Sequence, residues 1–127
     1  MAETVVVTAA VVRRGAGYLV TRRLNDTHLA GYWEFPGGKC EPGETHTACL
    51  MREIREELGC EARVGVKLLT VTHDYTERSV ELHFFRCELD GEPRAVLGQE
   101  IRWVPPGELR ALSFPPADEE LIQMLSR

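Results

Sequence analysis

The chain has 127 residues, 43% of them hydrophobic, and a formal charge of −5 from 15 basic and 20 acidic side chains. That length suits one domain with a proper core, expected over residues 1–127. The negative balance argues against wrapping a nucleic-acid polymer, whose phosphates demand a basic surface, but permits a small polyphosphate held by metal and a few local cations. No apolar run is long enough to span a bilayer and no secretory leader is visible, so the expected location is cytoplasmic, with no membrane partner. The four cysteines, Cys40, Cys49, Cys60 and Cys87, form no C-x-x-C pair and are expected to be reduced thiols.

In chain order, residues 4–12 are β-branched and apolar, and residues 17–21 (GYLVT) form a second such run across the turn Arg13-Arg14-Gly15-Ala16. The pattern predicts a hairpin whose first strand, apolar on successive positions, is covered on both faces by helices. Arg22 and Arg23 close the second strand, either as an ordinary charged strand end or as a contact to a substrate phosphate. A polar loop over 25–32 then delivers the chain to Trp33-Glu34-Phe35-Pro36-Gly37-Gly38. Paired glycines allow close backbone approach, so a carbonyl at Gly37 or Gly38 could face a metal. Phe35 reads as core or as a surface on which a base stacks.

Glu44 and Thr45, after Pro42-Gly43, form a loop-to-helix junction, and helix formers run from Ala48 to Leu58 before Gly59, so a helix is expected over roughly residues 45–58. Leu50, Met51, Ile54 and Leu58 gather on one stripe of it and Glu53, Glu56 and Glu57 on another. Three carboxylates in the last two turns oppose the helix dipole and repel one another, each effect costing a few tenths of a kcal/mol. A divalent cation with hard oxygen ligands, Mg²⁺ or Mn²⁺, removes both penalties, and the cluster reads as a metal site.

Beyond Gly59 the pattern becomes β-rich, over residues 61–73 and 79–88, joined by residues 74–78, and predicts an antiparallel pair. Val80, Leu82 and Phe84 alternate with Glu81, His83 and Phe85, as for a strand with one better buried face. His73 and His83 read as strand-surface residues and are given no role. A turn at residues 90–93, a short strand over 101–104 and a break at 105–107 follow. Prolines 115 and 116 then open a C-terminal helix whose apolar face carries Leu121, Ile122, Met124 and Leu125.

The spacing Gly38, five residues, Glu44, seven residues, Arg52-Glu53-Ile54-x-Glu56-Glu57-x-Gly59 resembles the signature of the Nudix hydrolase family at every fixed polar and glycine position. Only Cys60 departs, where an aliphatic residue is usual; a buried cysteine is a small hydrophobe, so the difference touches packing. The resemblance implies an α/β/α sandwich with a mixed β-sheet between helices. It implies a nucleoside diphosphate linked to another group as substrate, and Glu53, Glu56, Glu57 and a carbonyl at Gly37 or Gly38 as metal ligands. Glu53 is the first candidate for general base, Arg52 would orient the glutamates, and Glu44 would receive an arginine or fix the loop.

Thr21-Arg22-Arg23, Glu34-Phe35-Pro36-Gly37-Gly38-Lys39 and Phe114-Pro115-Pro116-Ala117 extend the likeness to MutT-type nucleoside triphosphate pyrophosphohydrolases. It favours Arg23 as the phosphate contact, with Lys39 nearby. Such enzymes carry a further carboxylate where this chain has Leu97; Glu100 is the nearest substitute as a metal ligand. They also read oxidised guanine with an asparagine where Asp118 stands here, and an aspartate there resembles relatives acting on cytidine nucleotides. An ionised carboxylate accepts but does not donate, so Asp118 would prefer donor-bearing base edges; alternatively it is a first-turn residue favoured by the helix dipole. The expected activity is Mg²⁺-dependent cleavage of (deoxy)nucleoside triphosphates, such as 8-oxo-dGTP or cytidine triphosphates, to monophosphate and pyrophosphate, in a nucleotide-sanitising role. A Nudix hydrolase of a nucleotide sugar or dinucleoside polyphosphate, or a non-catalytic nucleotide-binding module, are the alternatives. The partner is a small nucleotide, the chain a monomer or homodimer.

Overall fold

The computed structural model describes residues 3–22 and 31–127. Its centre is β1, Glu3–Arg14, whose β-branched run predisposes it to the sheet. A tight turn returns the chain as β2, Gly17–Arg22, antiparallel to β1 with Arg13 opposite Tyr18, as the hairpin pattern predicts. β2 has two further antiparallel neighbours on its opposite edges, the short β3 (Trp33–Glu34) and, later in the chain, a strand over Glu100–Val104, since Thr21 stands opposite both Glu34 and Ile101. Along the same edge that β2 takes, β1 pairs with β4, Gly37–Lys39, antiparallel through Val7, Thr8 and Ala9.

Helix α1 covers His46–Leu58. The Thr45 hydroxyl accepts from the Ala48 N–H at 3.1 Å and closes its first turn. Gly59, at φ 66°, ends it in the left-handed conformation that glycine adopts without a Cβ penalty, and donates back to the Arg55 carbonyl. After it, β5 (Glu61–Asp74) and β6 (Arg78–Asp90) form the expected antiparallel pair, and β6 lies parallel to β1 from Glu3↔Arg78 to Val12↔Cys87. With β7 as Glu100–Val104, seven strands make one mixed sheet. Short 3₁₀ turns at Pro106–Ala111 and Pro116–Asp118 lead into α2, Glu119–Leu125.

The continuous apolarity of β1 is explained by two cores. Ala9 and Val11 face a cluster with Val20, Leu82, Phe84, Leu109, Leu121 and Ile122. Ala10 and Val12 face the opposite cluster, where Leu50, Ile54 and Leu58 of α1 meet Leu19, Phe85 and Cys87. Helices therefore cover both faces, the expected α/β/α arrangement. Each fully buried leucine or isoleucine of α1 contributes about 2 kcal/mol relative to exposure.

Three expectations are corrected by packing. The buried stripe of α1 includes Cys49 in place of Met51, which is half-buried. Strand β6 is buried on both faces, not on one, because it lies between β1 and β5 beneath α1: Phe85 is 7% and His83 only 4% exposed. His83 is thus no surface residue. The thiols are not all reduced either. Cys40, just after β4, and Cys49, in α1, form a disulfide with Cα atoms 5.2 Å apart. Their separation of nine residues carries no local signature; the antiparallel approach of β4 to α1 brings them within bridging range.

Candidate active site

The acidic stripe of α1 faces β4, and the glycines of β4 decide how closely the two can approach. A Cβ added at Gly38 would overlap the Glu53 carboxylate, so only glycine leaves room for that side chain. One residue earlier, the Gly37 N–H donates to Glu57 Oε2 at 3.1 Å. Glu53 and Glu57 open on a cleft of about 940 Å³, lined also by Glu34, Phe35, Gly37, Gly38 and Lys39 and closed by Arg78, Tyr75 and Asp118. The size falls in the range of small-ligand pockets, about 300–1,000 Å³.

Arg52 organises the carboxylates at the rim. Its Nε and Nη2 donate to the two Glu44 oxygens at 2.7 and 2.9 Å, a bidentate pair. Its Nη1 donates to Glu53 at 3.1 Å and to Glu56 at 3.2 Å, and Nη2 also reaches the Lys39 carbonyl at 3.1 Å. One guanidinium therefore ties Glu44, in the loop after β4, to two glutamates of α1. The Arg52 hydrogen bonds, together with the Glu41 N–H at 2.7 Å, hold the Glu44 carboxyl down at about 2. Glu44 pairing pushes Arg52 further up in turn.

The deeper glutamates behave oppositely. Burial, then the charges of Glu53 and Glu34, push Glu57 up to about 8, against the single lowering contact from Gly37. Glu53 is also raised, chiefly by burial, despite Arg52. The inner site thus gathers hard oxygen donors, of which Glu53 is offset by Arg52 while Glu57 is held up chiefly by burial and by the charges of its neighbours. That donor set fits a divalent cation such as Mg²⁺ or Mn²⁺, which would supply positive charge.

The residues expected from sequence divide into three groups. Glu53, Glu57, Gly37, Gly38, Phe35, Lys39 and Asp118 line one cleft. Phe35 and Asp118 are nevertheless buried, at 4% and 5% exposure, and Phe35 stacks on Phe114 at 5.4 Å with its edge toward Phe84, so it is core and cleft wall at once. Asp118 immediately precedes α2 and makes no side-chain cap hydrogen bond to it. Arg52, Glu44 and Glu56 form the rim just described, with Glu56 exposed. Glu100 is not brought to the cleft. It stands on β7 opposite Arg22, which does line the cleft, and pairs with Arg22 at 3.5 Å and Arg102 at 3.3 Å. Leu97 itself lines the cleft. Arg23 lies outside the described residues.

Sequence reasoning missed Glu34, Tyr75, Arg78 and Gln99. Glu34 sits three residues before a glycine already singled out, and its charge acts on Glu57. Tyr75 and Arg78 belong to the β5–β6 turn, which folds over the cleft; nothing in their local sequence signals it. Gln99 donates to the Glu57 carbonyl at 2.9 Å and fastens the segment before β7 to the end of α1.

The family model described as the NUDIX domain matches residues 7–124. A protein of Mycobacterium tuberculosis described as a putative 8-oxo-dGTP diphosphatase 2 is 40% identical, over all of this chain and 91% of its own length. The CTP pyrophosphohydrolase of Escherichia coli K12 is 36% identical, over 92% of this chain and 87% of its own. The solution structure of the E. coli ORF135 protein superposes with a TM-score of 0.86 at 34% identity, covering 96% of this chain and 88% of that one. With its signature glutamates on α1, its mixed sheet between helices and these relatives along nearly its whole length, the chain belongs to the Nudix hydrolase family.

Proposed function

We propose that the protein hydrolyses nucleoside triphosphates to monophosphate and pyrophosphate in the cleft beside α1, with Mg²⁺ as cofactor and Mn²⁺ as a possible replacement. A nucleotide-sanitising role on 8-oxo-dGTP or cytidine triphosphates fits the named activities of its relatives. The observation that carries the reading is Glu57: a half-buried carboxyl held up at about 8 among other carboxylates, in the wall of a nucleotide-sized cleft. Glu53, Glu56 and Glu57, with a carbonyl at Gly37 or Gly38, would hold the metal. A bound divalent cation would neutralise phosphate charge and lower the pKa of a coordinated water.

The remaining roles belong to the chain itself. Glu53, kept in place by Arg52 and by the missing Cβ of Gly38, is the candidate base for the attacking water. Arg52 and Glu44 hold the geometry of the rim. Lys39 and Arg78 bring positive charge to the polyphosphate, and Arg23 is assigned the same task from sequence. Phe35, fixed between Phe84 and Phe114, offers a rigid aromatic wall, and Asp118 an acceptor for a base edge.

Hydrolysis in oxygen-18 water tests the reading. The expected products are a nucleoside monophosphate and pyrophosphate with one label between them, no turnover under chelation, and loss of at least about a hundredfold in kcat for Glu57→Gln with the fold intact. A nucleoside diphosphate with labelled orthophosphate would overturn it.

A further inference from the structure

The described residues hold a second cluster of ligand-type side chains that the proposed hydrolysis does not use. His46 is the first residue of α1; Glu81 and His83 are successive residues on one face of β6. One ligand atom from each of the three lies within 4.8 Å of the other two. The imidazole rings of His46 and His83 are 4.0 Å apart between centroids and tilted by 35°, and His83 Nε2 is 2.7 Å from Glu81 Oε1.

We propose that His46, His83 and Glu81 bind one divalent transition-metal ion of the zinc class, clamping the start of α1 to β6. Two imidazole nitrogens and one carboxylate oxygen are a borderline donor set that suits Zn²⁺ or Co²⁺ and is poor for Mg²⁺, so the site differs in kind from the all-oxygen site of the glutamates. Zinc-bound ligand atoms lie about 3.4 Å apart at bond lengths near 2.0–2.1 Å, so the three ligand atoms, now within 4.8 Å of one another, would close by about 1 Å on binding.

The surroundings are those of a supported ligand set. His83 is 4% exposed and its second nitrogen, Nδ1, lies 3.3 Å from Thr70 Oγ1. A threonine hydroxyl can donate to Nδ1 while Nε2–H faces Glu81, and can accept from Nδ1–H once a metal occupies Nε2, so either tautomer is satisfied. Lys67, the neighbouring cation, lies 5.7 Å from the Phe85 ring and its charge acts on His46, favouring the neutral imidazole that a metal needs. His46, alone of the three, also lines a hollow of about 440 Å³ with Lys39, Glu41 and Glu44, so the site is open to solvent from the His46 side. His46 and Glu53 are seven residues apart on α1, about 10 Å along its axis, so the two sites are separate.

The test is titration of the full chain with Co²⁺ and then Zn²⁺ in saturating Mg²⁺, which keeps the carboxylate site filled. The expected result is one Co²⁺ per chain, with visible absorption of a nitrogen- and oxygen-ligated ion and no thiolate charge-transfer band, displaced by one equivalent of Zn²⁺. His46→Ala, His83→Ala and Glu81→Gln should each weaken binding by about tenfold or more, whereas Glu57→Gln should leave the Co²⁺ spectrum unchanged. Because His83 is buried, His46→Ala decides the matter if His83→Ala does not fold. Absence of stoichiometric binding in saturating Mg²⁺, or binding that survives His46→Ala, overturns the proposal.

Discussion

Gly38 of β4 and Glu53 of α1 meet where no side chain fits between them, since a Cβ at position 38 would overlap the Glu53 carboxylate. Interiors packed at crystal-like density cannot absorb a methyl group there without moving one partner. Gly38→Ala is therefore expected to displace Glu53 and lower kcat by at least about a hundredfold, roughly 2.7 kcal/mol of transition-state stabilisation, with a modest loss of melting temperature. Steady-state kinetics beside a thermal melt separates the two effects. Normal turnover in Gly38→Ala would remove Glu53 from the chemistry.

Acid stability reports on the Arg52 web. Glu44 is held at about 2, below its ordinary 4.5, first by the Arg52 hydrogen bonds and then by the Glu41 N–H. A carboxyl depressed in the folded state binds fewer protons there than in the unfolded chain between these two values. Its stabilisation is present above about pH 4.5 and is lost as pH falls toward 2. Glu44→Gln should melt below wild type at neutral pH, with the difference shrinking to nothing across that window. A difference that stays constant with pH would assign the effect to shape, not to the ion pair.

Cysteine labelling separates the two kinds of sulfur in the chain. Cys60 and Cys87 are buried, and burial raises both thiols, Cys87 to about 12, so neither forms thiolate near neutral pH. Iodoacetamide at pH 8 should therefore modify no cysteine in the native protein, two after denaturation and all four after denaturation with reductant, counted by intact mass. Reduction should also lower stability by about 2–3 kcal/mol, the chain-entropy value for so short a loop. Four adducts without reductant would remove the Cys40–Cys49 bridge.

Base choice should turn on Asp118, buried in the cleft wall and positioned by the turn ahead of α2. A carboxylate favours bases that present N–H groups; an asparagine keeps one acceptor and adds a donor suited to O6 of guanine. Asp118→Asn should lower kcat/KM for cytosine nucleotides by about 1.5–3 kcal/mol and lower that for 8-oxo-dGTP less, so the ratio of the two shifts toward oxidised guanine. Comparing 8-oxo-dGTP, dGTP, CTP and 5-methyl-dCTP on both proteins measures it. An equal loss on all four would make Asp118 structural.

The acidic helix was legible from sequence alone because helical period is local: spacing places Glu53, Glu56 and Glu57 together on one side, and Thr45 and Gly59 mark where the helix starts and stops. The hairpin, the β5–β6 pair and the two covered faces of β1 followed equally from short-range apolar pattern. What required the tertiary structure was everything set by strand register and by the approach of distant segments. Glu100 looked like a ligand until the pairing of Arg22 with Glu100 turned its charge to two arginines. Cys40 met Cys49, and His46 met His83, because the segment just after β4 and the middle of β6 both lie under the first turns of α1. Arg78 and Tyr75 entered the cleft only when the β5–β6 turn folded over it. Side-chain type and local period specify which chemistry a chain carries, whereas contacts between residues dozens of positions apart depend on packing that no local window contains.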